Sequence, residues 1–163
     1  MKRCILFVCR ANQFRSPLAA ACFRRRMQQV CPHEEWLVAS AGTWALEGQP
    51  AAPLAQAVAA QYGLSLKAHR SRRVSPDLLR DCTLVVVMEA GQKEALLAEF
   101  PWLEGRVHLL TALAGEPPLD VPDIPPGEDE AAALALGQEV CHLAEAAAGG
   151  VCGNRGGAAT FPG

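Results

Sequence analysis

Cys9 closes the apolar run "CILFVC", and Arg15 and Ser16 open an alanine-rich stretch six residues later. Between them lies a short connection, Arg10 to Phe14. A tight loop between a strand and a helix can turn its backbone N–H groups inward, and the following helix adds the positive end of its dipole. The guanidinium of Arg15 can span two oxygens of a tetrahedral oxyanion. This pattern suits a dianion such as phosphate held above a nucleophilic thiolate at Cys9, with the Ser16 hydroxyl as a further donor to the sulfur. A bare C-x5-R also arises by chance, and the alternative is a core cysteine followed by a solvated arginine at a helix end. The strand before, the Ser-Pro pair and the helix after favour the chemical reading.

The elements that would position these groups alternate. Arg3–Cys9, Trp36–Ser40, Thr83–Met88 and Arg106–Leu110 read as strands, the third as an apolar run buried on both faces. Ser16–Gln29, Pro53–Tyr62, Ser75–Arg80, Ala90–Phe100 and Glu128–Ala148 read as helices, with Ser16 as N-cap and Pro17 at the first helical position of the first of them. The order predicts an α/β fold: a doubly wound, mostly parallel four-stranded sheet flanked by helices, with its ligand site at the carboxyl ends of the strands. Cys9 sits at one such end. Residues 1–148 form the expected domain, and the Gly/Ala-rich tail at 149–163 is expected to be disordered.

Composition narrows the function classes. The 163 residues are half hydrophobic and one-fifth charged, and no apolar run reaches the ~18–20 residues that span a bilayer. The apolar run after Lys2 and Arg3 is too short for a signal peptide and reads as a buried first strand, so the expected location is cytoplasmic. Residues 1–80 hold 12 Lys+Arg and 4 Asp+Glu, a balance of +8, whereas residues 81–163 hold 3 and 13, a balance of −10. The basic half suits an anion. The pI near 6.1 and the lack of aromatics among the basic residues speak against nucleic acid. Seven cysteines, an odd number with no C-x-x-C, predict neither a disulfide framework nor a structural zinc site, but small core residues.

Five segments in order, "FVCRANQFRSPLA", "SAGTW" at 40–44, "HRSRRV" at 69–74, "VVVMEAG" at 85–91 and "DVPD" at 120–123, resemble the low-molecular-weight protein tyrosine phosphatase family over residues 3–148. The resemblance implies hydrolysis of phosphomonoesters through a cysteinyl-phosphate intermediate, with no metal or other cofactor. Cys9 would be the nucleophile and Arg15 the clamp. Asp123 would be the general acid, with Asp120 as the fallback. The phosphate would rest on Arg10, Ala11, Asn12, Gln13, Phe14, Arg15 and Ser16. Asn12, Ser16, Ser40 and His69 would form the supporting network, and Trp44 a wall against the substrate ring. Implied partners are a phosphotyrosine protein or small aryl phosphate, including a bacterial tyrosine kinase, with no nucleic acid or membrane.

The chain also departs from the family. Phe14 stands where most members carry a second loop cysteine, so Cys9 is expected to oxidise irreversibly more readily; Cys4 lies too close along the strand to replace that partner. Ala11 replaces a common loop glycine, Arg10 adds charge at the mouth, and Ile124 replaces the proline after the acid. Two rival functions share the motif: an arsenate reductase on the same fold, which needs two further relay cysteines, and a catalytically weak phosphate- or phosphotyrosine-binding module.

Overall fold

A computed structural model describes residues 3–124 and 129–153. Four strands, β1 (Arg3–Cys9), β2 (Trp36–Gly42), β3 (Leu84–Val87) and β4 (Val107–Leu109), form one sheet in the order β2-β1-β3-β4, every pairing parallel. Parallel neighbours require crossovers, and helices supply them: α1 (Arg15–Val30), α2 (Pro53–Gln61), α3 (Pro76–Asp81), α4 (Ala90–Glu99), α5 (Leu110–Leu113) and α6 (Glu130–Gly153). A short 3-10 turn, Pro101–Leu103, follows α4.

The alternation along β1 divides the core. Ile5, Phe7 and Cys9 face the cluster built with α1, α2 and α6, while Cys4, Leu6 and Val8 face a second cluster with Leu79, Leu96 and Leu103. All six are buried because β1 is central and covered on both faces. Cys9 therefore shares a face with the helix that begins at Arg15. Residues Arg15 to Phe23 of α1 are buried without interruption, as befits a helix enclosed between the sheet and α6. Gly137 lets α6 close on α2: a Cβ there would meet Val58 Cγ2 at 2.6 Å.

Two local expectations change. Phe14, not Ser16, is the N-cap of α1, and no side chain caps that end. The Ser16 hydroxyl is engaged by Cys9 and Asn12 instead. The four-residue α5 was not anticipated, being shorter than one amphipathic period. The last helix runs to Gly153, with Val151 buried, five residues past the expected domain boundary; Glu128 and residues 154–163 lie outside the described residues.

The cysteines correct the sequence reading more sharply. Cys4–Cys82, Cys22–Cys141 and Cys31–Cys152 are disulfide-bonded, with Cα atoms 4.4, 5.4 and 6.0 Å apart. The partners are 78, 119 and 121 residues apart in sequence, so no local spacing announces them; the parallel sheet and the α1–α6 packing bring them together. Cys9 alone is free.

Candidate active site

Asn12 builds the loop after β1. Its φ of 58° is the one left-handed conformation outside glycine among the described residues, and asparagine tolerates it better than other side chains. The turn brings its N–H to Cys9 Sγ at 3.3 Å. Its buried side chain then ties down the surroundings. Nδ2 donates to Ser16 Oγ at 2.8 Å and to Ser40 Oγ at 2.9 Å, while Oδ1 accepts the Arg72 N–H at 3.0 Å. His69 Nε2 contacts the Asn12 carbonyl at 2.7 Å. Ser40 and His69 thus both meet Asn12, from β2 and from the segment after α2.

Ser16 Oγ lies 3.0 Å from Cys9 Sγ. Because Asn12 already donates to that oxygen, the single Ser16 proton is available for the sulfur, with the Ala41 carbonyl 3.4 Å away as the competing acceptor. The Asn12 amide and the Ser16 hydroxyl thus converge on the Cys9 sulfur. Gly42, at the end of β2, permits this close fit: a Cβ would meet the Arg10 carbonyl at 2.5 Å and the Asn12 nitrogen at 3.0 Å. The Thr43 and Trp44 N–H groups hold the Cys9 and Arg10 carbonyls, each at 2.9 Å, and Ala52 N–H holds the Gln13 carbonyl at 2.8 Å. These bonds occupy the Cys9, Arg10 and Gln13 carbonyls and fix the course of the loop.

Arg15 is only 2% exposed, and its guanidinium reaches the segments after β3 and α5. Nη1 donates to Glu89 Oε1 at 3.0 Å and to the Val121 carbonyl at 2.9 Å; Nη2 lies 3.4 Å from Asp123 Oδ2. Asp123 is half exposed and also accepts the Ile124 N–H at 3.0 Å. Asp120 is committed elsewhere: its Oδ1 accepts the Ala90 N–H at 2.7 Å at the start of α4. Of the two aspartates in the loop, Asp123 is the one placed on Arg15.

The profile described as low molecular weight phosphotyrosine protein phosphatase matches residues 4–151. The chain belongs to that family. A relative within it, the probable low molecular weight protein-tyrosine-phosphatase EpsP of Ralstonia solanacearum, is 37% identical over 110 residues, 68% of this chain and 72% of that protein. Among solved structures of the phosphatase fold, Wzb of Vibrio vulnificus in complex with benzylphosphonate is similar with a TM-score of 0.75 and 30% identity, covering 91% of this chain and 99% of that one. A YwlE arginine phosphatase mutant, whose active-site serine replaces cysteine and is phosphorylated, is similar with a TM-score of 0.84 and 25% identity, covering 93% and 97%.

Within this phosphatase scaffold, Trp44 is exposed and carries Arg73 over its ring at 5.7 Å. Phe14 turns toward the core beside α1, so the position of the usual second cysteine is filled by packing. Glu89 and Gly42 were not anticipated as site residues. Glu89 lies two residues past the end of the apolar β3, at the same carboxyl end of the sheet as Cys9, and that topological place is the signal that could have singled it out.

Proposed function

We propose that this chain hydrolyses phosphotyrosine in proteins, and small aryl phosphates, through a cysteinyl-phosphate. The observation that carries this is the convergence on one loop of a thiol with two donors, a buried arginine and an aspartate on that arginine. The thiolate of Cys9 attacks phosphorus as the bond to the tyrosyl oxygen breaks. The Asp123 carboxyl gives that oxygen its proton, and neutral tyrosine leaves. Arg15 and the amides of the 10–16 loop stabilise the charge on the three equatorial oxygens. Asp123, now a carboxylate, takes a proton from water as the water attacks phosphorus; the S–P bond breaks, releasing phosphate and restoring the thiolate. The Ser16 hydroxyl serves the sulfur each time it departs. Trp44 supplies the aromatic wall for the leaving ring.

A disulfide relay of the kind arsenate reduction needs finds no support here: Cys9 Sγ meets the Ser16 hydroxyl and the Asn12 N–H, and the other six cysteines pair among themselves and not with Cys9. A phosphorylated tyrosine kinase is the partner this reading favours. The cytoplasm suits a catalytic thiol that must stay reduced, whereas the three disulfides favour an oxidising compartment. Thiol counting on protein alkylated at lysis decides between them.

The test is steady-state hydrolysis of p-nitrophenyl phosphate and of phosphotyrosine and phosphoarginine peptides, with EDTA present. The expected result is turnover of the first two, abolished in Cys9→Ser, and a phosphocysteine trapped in wild type by acid quench. Phosphate binding without turnover would replace this reading with a binding module, and preferential release from phosphoarginine would change the substrate.

A further inference from the structure

The candidate site is bordered by positive charge that its chemistry leaves unused. Lys67, Arg70, Arg72 and Arg73 fall within "KAHRSRR", which contains no acid, and all four side chains are exposed. Hydrogen bonds fasten this segment to the Asn12 side chain of the phosphate loop and to Gly42 at the end of β2. The Arg72 N–H donates to Asn12 Oδ1 at 3.0 Å, Gly42 N–H to the Arg72 carbonyl at 2.9 Å, and Val74 N–H to the Gly42 carbonyl at 3.0 Å. The Trp44 N–H bond to the Arg10 carbonyl brings the exposed Arg10 to the same border.

These five cations have little counter-charge. Among the described residues none of them takes part in an ion pair. Glu47 accepts the backbone N–H of Arg73, not its guanidinium, at 2.8 Å. Neutral carbonyls fix two guanidiniums without cancelling their charge: Arg72 Nε donates to the Ser40 carbonyl at 3.0 Å, and Arg70 Nη1 to the His69 carbonyl at 2.7 Å and the Lys67 carbonyl at 3.2 Å. Arg73 rests on Trp44, and the pair forms part of the wall of a groove of about 390 Å³ that also includes Val74, Leu96 and Phe100, with Glu99 as its acidic member.

Like charges gathered this closely repel one another, and an anionic partner relieves that repulsion. The phosphoryl group is already served by Arg15 and the loop amides, so the rim is left for the residues on either side of it. We infer that Arg10, Lys67, Arg70, Arg72 and Arg73 select protein substrates whose phosphorylated residue is flanked by aspartate or glutamate, with the flank lying over the Trp44–Arg73 pair. The inference rests on the phosphatase reading and deepens it. Complementary charge of this kind steers encounter and discriminates partners, and salt screens it.

The experiment compares kcat/KM for phosphotyrosine peptides with acidic, alanine or lysine flanks, and for p-nitrophenyl phosphate, in wild type and Arg70→Glu/Arg73→Glu. At low salt the wild type is expected to favour acidic over alanine flanks by about tenfold, and the margin should shrink at about 0.3 M salt. The double variant should level or invert the order while p-nitrophenyl phosphate turnover is unchanged. Equal rates for acidic and alanine flanks in wild type, or a preference that survives the double variant, would overturn the inference. Should the double variant fail to fold, Arg73→Gln must still reduce the preference. Should the wild type turn over none of these esters, the phosphatase reading fails separately. Fluorescence anisotropy of the same peptides then decides the rim: tighter binding of the acidic peptide, lost in the variant, supports it, and equal binding refutes it.

Discussion

Arg15 and Glu89 form an ion pair at 3.0 Å between a guanidinium that is 2% exposed and a carboxylate that is 32% exposed. The two come from opposite sides of the point where the strand order reverses, after β1 and after β3. Glu89 also caps α4 in a reciprocal box with Gln92, so the helix and the arginine are held by one side chain.

Removing that charge loosens the clamp. Glu89→Gln leaves a near-isosteric amide that can still accept from Arg15, but it forfeits the charge-assisted part of the bond, worth about 1–2 kcal/mol. The expected outcome is a loss of roughly tenfold in kcat/KM for p-nitrophenyl phosphate and a weaker competitive inhibition by inorganic phosphate, with the protein still folded. An unchanged phosphate inhibition constant would show that the pair does not orient Arg15.

The two aspartates of the late loop separate cleanly by position. Asp123→Asn should lower kcat by about 10²–10⁴-fold, most for esters with poor leaving groups, because general acid catalysis contributes on that scale. Asp120→Asn should leave kcat within about twofold. It weakens the bond to the Ala90 N–H and should lower thermal stability modestly, by no more than the ~1 kcal/mol typical of a helix cap. A leaving-group series measured on both variants checks the assignment.

Asn12 combines a backbone role and a side-chain role, which two substitutions can divide. Asn12→Gly keeps the φ of 58° without strain but strands the Ser16 and Ser40 hydroxyls and the Arg72 N–H. Asn12→Ala strands the same groups and adds about 1–2 kcal/mol for a left-handed alanine. Both should lose activity to a similar degree, while the midpoint of thermal unfolding falls further for alanine. Equal stability of the two would mean that the loop abandons its turn.

Thiol accounting tests the disulfides. Denatured oxidised protein should show one reactive thiol, Cys9, and reduced protein seven. Two of the bridges tie α1 or the residue capping it to α6 and close long loops, so each is expected to contribute about 2–4 kcal/mol. A reductant should lower the unfolding midpoint by roughly 10 °C or more and spare turnover, since Cys9 lies outside the pairs. Peroxide should inactivate Cys9 with incomplete recovery by thiols, because Phe14 offers no resolving sulfur.

Stability should also depend on pH through His108. Burial in β4, with Lys93 nearby, pushes its imidazole below the ordinary 6.5, against a smaller opposing contribution from a hydrogen bond to the Gly105 backbone. The folded state thus resists a proton that the unfolded chain accepts. The contribution is fully present above pH 6.5 and is lost as pH falls from there through the lowered folded value. Melting scans from pH 8 to pH 5 should show this decline, and His108→Gln should flatten it.

The elements that carry strong local patterns were readable in the residues. β1 begins one residue ahead of the apolar run and ends with it at Cys9, and α4 stops before Pro101 because the residue ahead of a proline avoids helical angles. Cys9 and Arg15 could be picked out because both halves of the loop lie within a few residues of each other. What escaped was set by contacts between distant segments. Ser16 reads both as the cap of α1 and as a donor to the Cys9 sulfur; only the second holds, because the loop closes beneath it and engages its hydroxyl with Cys9 and Asn12. Glu89 gains its meaning only when β3 is laid beside β1. Cysteines more than 70 residues apart pair only through tertiary packing, and no spacing rule could join Cys22 to Cys141.

β1 carries Arg3 at one end and Cys9 at the other, and at ~3.3 Å per residue the strand separates them by about 20 Å. A group attached at Arg3 therefore sits at the end of the strands opposite Cys9. An affinity handle or a surface linker placed there would hold the molecule with its reactive mouth turned away from the support, so immobilised protein should keep the access to bulky phosphoproteins that it has in solution.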